Sequence, residues 1–156
     1  MDLALFLIEH GADMTSQDKQ GWTPLHWASR SGDVDLVRLL LGHSAEATVQ
    51  TKQGIAPLSV TSRRGAVGRL RVLIEDGADV TARTKDGSTA LHLASRRGHA
   101  SVARILLHCG ADPAARDNMN RTPSQLAAGG CRRIIQLLSN HGADMGRWSI
   151  VLVHNY

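Results

Sequence analysis

Three stretches of the chain, QGWTPLHWASRSGDVDLVRLLLGHSAE, QGIAPLSVTSRRGAVGRLRVLIEDGAD and DGSTALHLASRRGHASVARILLHCGAD, lie over one another with Gly21, Gly54 and Gly87 coinciding, one every 33 residues. A further stretch, NRTPSQLAAGGCRRIIQLLSNHGAD, keeps Asn120 at that spacing and then loses one residue before Gly130, while LALFLIEHGAD forms a partial unit ahead of them all. Such a period restricts the fold severely: one unit is too small to bury its apolar face, so neighbours must stack into a continuous core. The boundaries are a partial unit at 1–17, repeats at 18–50, 51–83, 84–116 and 117–144, and a non-repeating tail at 145–156.

Each unit reads as two helices. Thr23 suits a helix N-cap and Pro24 the first helical position, and Leu25, Trp27 and Ala28 supply an apolar stripe that ends at Gly32. A second helix follows, with Val34, Leu36, Val37, Leu39, Leu40 and Leu41 on a broader apolar face. In later units it stops at GAD, where Gly77, Gly110 and Gly142 can take the left-handed conformation that closes a helix. Each repeat is therefore a short helix, a tight turn, a longer helix and a polar loop.

The segments GWTPLHWASRSG and GSTALHLASRRGH, with the recurring GAD, resemble the ankyrin repeat over residues 1–144. The resemblance implies an all-α fold: an ankyrin-repeat solenoid of stacked antiparallel helix pairs with projecting hairpin-like loops. It further implies a concave groove, formed by the first helices and the fingertips, that binds other proteins. It also implies that His26 and His92, which share a repeat position, hydrogen-bond within and between loops rather than act in catalysis.

Composition narrows the function. Only 3% of residues are aromatic against 42% hydrophobic, so the core must be built from Leu, Val, Ile and Ala. Cys109 and Cys131 make no disulfide framework and lack metal-ligand spacing, which predicts reduced thiols in an intracellular protein, cytoplasmic or nuclear, with no metal. The apolar run at the N-terminus follows Asp2 rather than a basic region, unlike a signal peptide, and no run reaches the length of a membrane span. His10, His43, Cys109 and His141 share one column, while His99 and Cys131 fall at the turn between helices. No nucleophile, base and orienting group come together, so no enzyme activity, cofactor or small-molecule substrate is expected. Gly129 and Gly130 follow a helix rather than a strand and support no phosphate loop. Asp79, Asp112 and Asp144 form a column that suits the capping of loop amides rather than calcium.

The cations also recur with the period. Arg30, Arg63 and Arg96 occupy one position, and Ser31, Arg64 and Arg97 the next, just before the glycine that ends the first helix. Lys19, Lys52 and Lys85 form a fingertip column, and between the two lie Trp22, Ile55, Ser88 and Arg121. Basic residues at helix C-termini complement the helix dipole by about 0.3–1 kcal/mol each. That accounts for one arginine per helix but not for a lysine column on the same side. The expected site is therefore Lys19, Trp22, Arg30, Lys52, Ile55, Arg63, Arg64, Lys85, Arg96, Arg97 and Arg121, with an exposed Trp22 as anchor, because interface hot spots favour Trp, Tyr and Arg. The expected function is a non-catalytic protein–protein interaction scaffold that holds an acidic segment of a partner protein in the groove. The alternative is a regulatory or structural ankyrin piece of a larger enzyme or receptor. Nucleic-acid binding ranks below both, because a net charge of +4 and few stacking aromatics support it poorly.

Departures from the repeat predict where the stack is weak. The third unit has Ala56 for the capping Thr, Ser59 for the His, Gly68 within its second helix, and Arg69 where other units carry Leu3, Leu36, Val102 and Ile134. A lost cap costs about 0.5–2 kcal/mol and a mid-helix Gly about 1 kcal/mol relative to Ala. Arg69 must snorkel or find a partner. Residues 51–83 are therefore expected to open first. The partial first unit lacks its inner helix, so the chain is expected to be a monomer unless that uncapped end associates, and to be a piece of a longer protein. Trp148, Ile150, Leu152 and Tyr156 of the tail are expected to fold back over the last unit.

Overall fold

The computed structural model describes residues 2–127 and 131–142. Among the described residues eight helices follow one another: α1 (Asp2–Glu9), α2 (Pro24–Ser31), α3 (Val34–Leu41), α4 (Pro57–Arg64), α5 (Val67–Glu75), α6 (Ala90–Arg96), α7 (Ala100–His108) and α8 (Arg132–Asn140). Among the described residues there is no strand beyond one isolated bridge, Arg83 with Thr89. Helices α2, α4 and α6 pack side by side as an inner row, and α3, α5 and α7 as an outer row, with α8 against α7. This is the all-α stack of antiparallel helix pairs that the resemblance implies.

The apolar positions meet between the rows. Leu25, Leu58 and Leu91 from the inner helices and Val37, Leu70, Leu73, Val102, Leu106, Ile134 and Leu138 from the outer ones are almost fully buried. Trp27 corrects the expected stripe. It is 48% exposed while Leu25 and Ala28 are buried, because among the described residues α2 has an inner helix, α4, on one side only, and Trp27 borders the open space beside α1.

Histidine joins the units. His26 Nδ1 accepts from Thr23 N at 3.2 Å, and its Nε2 donates across to Ile55 O in the next finger at 2.8 Å. His92 does the same with Thr89 N at 3.2 Å and Arg121 O at 3.0 Å. Ala56 and Ser59 leave α4 with no side-chain cap. Arg69, by contrast, finds its partner: Nη1 donates to Ser29 O in the preceding unit at 2.7 Å. Gly68 also has a use, since a Cβ there would lie 3.2 Å from Val34 Cγ2 on the neighbouring outer helix.

The loops between units are tight hairpins, closed by Asp18 N to Trp22 O, Thr51 N to Ile55 O, Thr84 N to Ser88 O and Asp117 N to Arg121 O. Successive fingers are laced by Lys52 N to Gln20 O, Lys85 N to Gln53 O and Asn118 N to Asp86 O. Asp79 Oδ1 accepts from Thr81 N at 2.8 Å and Asp112 Oδ1 from Ala114 N at 2.9 Å. These carboxylates satisfy their own loop amides, as the sequence predicts; Asp144 lies outside the described residues. The helix-closing glycines behave as expected, with φ of 89° at Gly77, 90° at Gly110 and 82° at Gly142.

The last unit departs from the pattern. Where a first helix is expected, residues 123–126 form turns. The sequence there runs into Ala-Ala-Gly-Gly, whose glycines oppose helix propagation, and no further inner helix lies beside it among the described residues. The expected packing of Trp148, Ile150, Leu152 and Tyr156 falls outside the described residues.

Candidate functional site

The side formed by the inner helices and the fingers carries a cleft of about 300 Å³ between the second and third fingers and helices α4 and α6. Its apolar lining is Trp22, Ile55, Val60 and Leu93, and its basic lining is Arg63, Lys85, Arg96 and Arg97. Val60 and Leu93 belong to the column of Trp27, which the expected site omits; the same 33-residue spacing applied to that position would have found them.

Ser59 also lines the cleft. It stands where His26 and His92 carry rings that reach from an inner helix to the next finger. A serine is too short to make that bridge, and Ser59, itself almost fully buried, sits at the inner edge of the cleft.

Adjoining this cleft is a more polar hollow of about 500 Å³, lined by Arg63, Arg64, Arg97 and His99. Arg63 and Arg97 line both. The His99 ring holds the wall together: Nε2 donates to Arg63 O at 3.2 Å, and the ring lies over Gly65, where a Cβ would be 2.6 Å from Nδ1. Gly65 has φ of 71°, so both its backbone and its bare surface suit the contact. Burial, followed by the charge of Arg64, holds the Arg69 guanidinium below its ordinary pKa.

Of the expected site residues, Trp22, Ile55, Arg63, Lys85, Arg96 and Arg97 come together in the cleft, and Arg64 joins through the adjoining hollow. Lys19 and Lys52 are exposed on their fingertips but line neither space. Arg30 lies outside it too, its guanidinium 5.6 Å from the centre of the Trp27 ring. Arg121 is not a free cation: Nη2 and Nε reach Asp117 Oδ2 at 2.7 Å and 2.9 Å. Burial alone would raise the Asp117 carboxyl, but the donors from Arg121 and the finger backbone outweigh it and keep it ionised.

Trp22 requires a second correction. It is half-buried rather than exposed, because its ring packs against Trp27 and His26 with centroids 4.9 Å and 5.5 Å away. It forms a wall of the cleft. Asp86, the acid of this fingertip row, also borders the cleft, but Thr84 and Ser88 donate hydrogen bonds to its carboxylate. The Thr84 hydrogen bond, first among the causes, lowers its pKa.

The paired helices and laced fingers agree with sequence comparison: the family model for ankyrin repeats in three copies covers residues 1–84 and 68–147. The chain belongs to the ankyrin-repeat family. No curated protein matches it significantly. Ankyrin repeats are generally protein–protein interaction modules and typically non-catalytic. No helix among the described residues is long and apolar enough to cross a membrane.

Proposed function

We propose that this ankyrin array is a non-catalytic scaffold whose concave groove binds an acidic segment of a partner protein. The observation that carries the reading is the cleft at Ser59, in which Trp22, Ile55 and Leu93 form an apolar floor beside Arg63, Arg96 and Arg97. Interfaces concentrate their binding energy at such spots, where an apolar pocket excludes water around charged groups. Among the described residues none of these three arginines forms an ion pair with a carboxylate, and all three are exposed. Two free thiols, Cys109 exposed and Cys131 half-buried, support an intracellular setting.

The test is retention of proteins from a cell extract on the immobilised chain, compared with the variant carrying Arg63→Glu, Arg96→Glu and Arg97→Glu. Retained partners should elute as salt rises and be lost from the variant. Partners held equally by both chains, or untouched by salt, would place binding elsewhere.

A second reading, as the interaction or regulatory part of a larger assembly, draws on the opposite end of the stack. Leu3, Leu5, Phe6 and Leu7 of α1 are exposed together with Trp27, and α1, α2 and Trp27 line an apolar cleft between them. Contiguous apolar surface of this kind marks a face that another element covers.

A further inference from the structure

The groove has two compartments of different chemistry joined by shared walls. On one side the cleft of about 300 Å³, with Ser59 at its inner edge, offers Trp22, Ile55 and Leu93 to a large apolar side chain. On the other, Arg63, Arg64 and Arg97 surround a hollow with no carboxylate among its lining residues. Three guanidiniums held together repel one another, and a single carboxylate compensates that field less well than a dianion. Guanidinium forks also match phosphate oxygens bidentately, while lysine binds as a point charge, and this hollow contains arginine without lysine. The hollow is preorganised because His99 ties the turn after α4 to the turn after α6.

Resting on the protein-binding reading of this groove, we infer that it recognises a phosphorylated segment: a large apolar side chain seats beside Ser59, and a phosphoserine or phosphothreonine enters the hollow of Arg63, Arg64, Arg97 and His99. Ser59 and Arg64 lie on one helix, and five residues of helix span about 7–8 Å. That distance corresponds to about two or three residues of extended peptide. The anchor and the phosphate should therefore be separated by that number of positions. Ser59 becomes the residue that sets specificity, since a histidine there would refill the cleft while restoring the bridge to the next finger.

The test is fluorescence anisotropy with labelled peptides of about ten residues, a length that spans both compartments. Each contains one Phe and one phosphoserine in a Gly/Ser background. Matched peptides replace phosphoserine with Ser or Glu, replace Phe with Ala, or move the two far apart. The phosphorylated peptide of correct spacing should bind about tenfold more tightly than the Glu peptide, and the Arg64→Ala/Arg97→Ala variant should remove that difference. Ser59→His should lose the contribution of Phe without lowering the melting temperature, which separates cleft filling from misfolding. Equal binding of the Glu and phosphoserine peptides would overturn the phosphate inference and leave the acidic-groove reading standing. Binding of none of the anionic peptides above the Ser control would overturn both.

Discussion

Ser44 occupies the position that glycine holds at residues 11, 77 and 110, and it pays a conformational penalty there. Its φ is 69°, in the left-handed region that costs an L-residue about 1–2 kcal/mol. Ser44→Gly should therefore raise stability by about 1 kcal/mol, the rest being returned as glycine's greater unfolded entropy. A denaturant titration would check this, and an unchanged midpoint would show that the side chain compensates locally. At His26 and His92, burial holds the imidazole pKa below its ordinary value of 6.5, although the bonds to Ile55 O and Arg121 O oppose that shift. Both rings therefore resist protonation more strongly in the folded chain than in the unfolded one. As pH falls below about 6.5, the unfolded chain takes up protons that the folded one refuses, so stability present at neutral pH is lost toward pH 5. In the last unit Gln125 Oε1 already accepts from Thr122 N at 2.9 Å, reproducing the local half of the histidine role. His26→Gln/His92→Gln should thus be less stable at pH 7, having lost both inter-unit bonds, while melting with a shallower dependence on pH. A pH slope equal to that of the unmodified chain would move its origin away from these two rings.

At the scale of the element, the fingers explain which glycines the period requires. A Cβ at Gly54 would lie 3.0 Å from both Lys85 N and Thr84 Cα, backbone atoms of the next finger, and φ is 72°. Gly77 in the same unit has φ of 89° and nothing within 4 Å. Both alanine variants incur the backbone penalty of about 1–2 kcal/mol, but Gly54→Ala must also push two fingers apart. Its loss of stability should exceed that of Gly77→Ala by at least about 1 kcal/mol, the scale of overpacking, as equilibrium unfolding would measure. Asn120 fits the same logic. It holds the glycine position of the last finger with φ of 61°, a conformation asparagine tolerates, and no further finger lies on it among the described residues. This part of the fold was legible: cap, helix, turn and GAD are local signals that follow from propensity and capping. The turn at residues 123–126 was less so, because TPSQ starts a helix well and only the neighbours decide whether that helix is worth completing.

At the scale of the whole molecule, helix-forming faults and interfaces argue in opposite directions. Counted by its own residues, the unit at 51–83 is the weakest. In the stack, α4 lies between α2 and α6, and α5 between α3 and α7, while Arg69 bonds the unit to its predecessor. Opening it disrupts two interfaces, whereas among the described residues α1 and α8 each pack against one neighbouring unit. Hydrogen exchange should therefore be fastest in α1 and α8 and slower in α4 and α5, reversing the order expected from sequence. Fastest exchange in α4 would show that the missing cap outweighs the second interface.

The sequence by itself determined the period, the helix pairs, the closing glycines and the recurrence of cations along one side, because each depends on residues a few positions apart or on exact repetition. It also held the clue to the cleft, since Ser59 breaks a pattern that His26 and His92 keep, although by itself that break reads only as a fault. Tertiary structure decided what each column does. Trp22 becomes a half-buried wall because it packs on Trp27 and His26, while Trp27 stays exposed on the first inner helix. Arg121 loses its free charge to Asp117, while Arg63, Arg64 and Arg97 keep theirs around one hollow. A repeat assigns the same address to every unit; exposure, neutralisation and empty space depend on which side chains the adjoining units bring to that address.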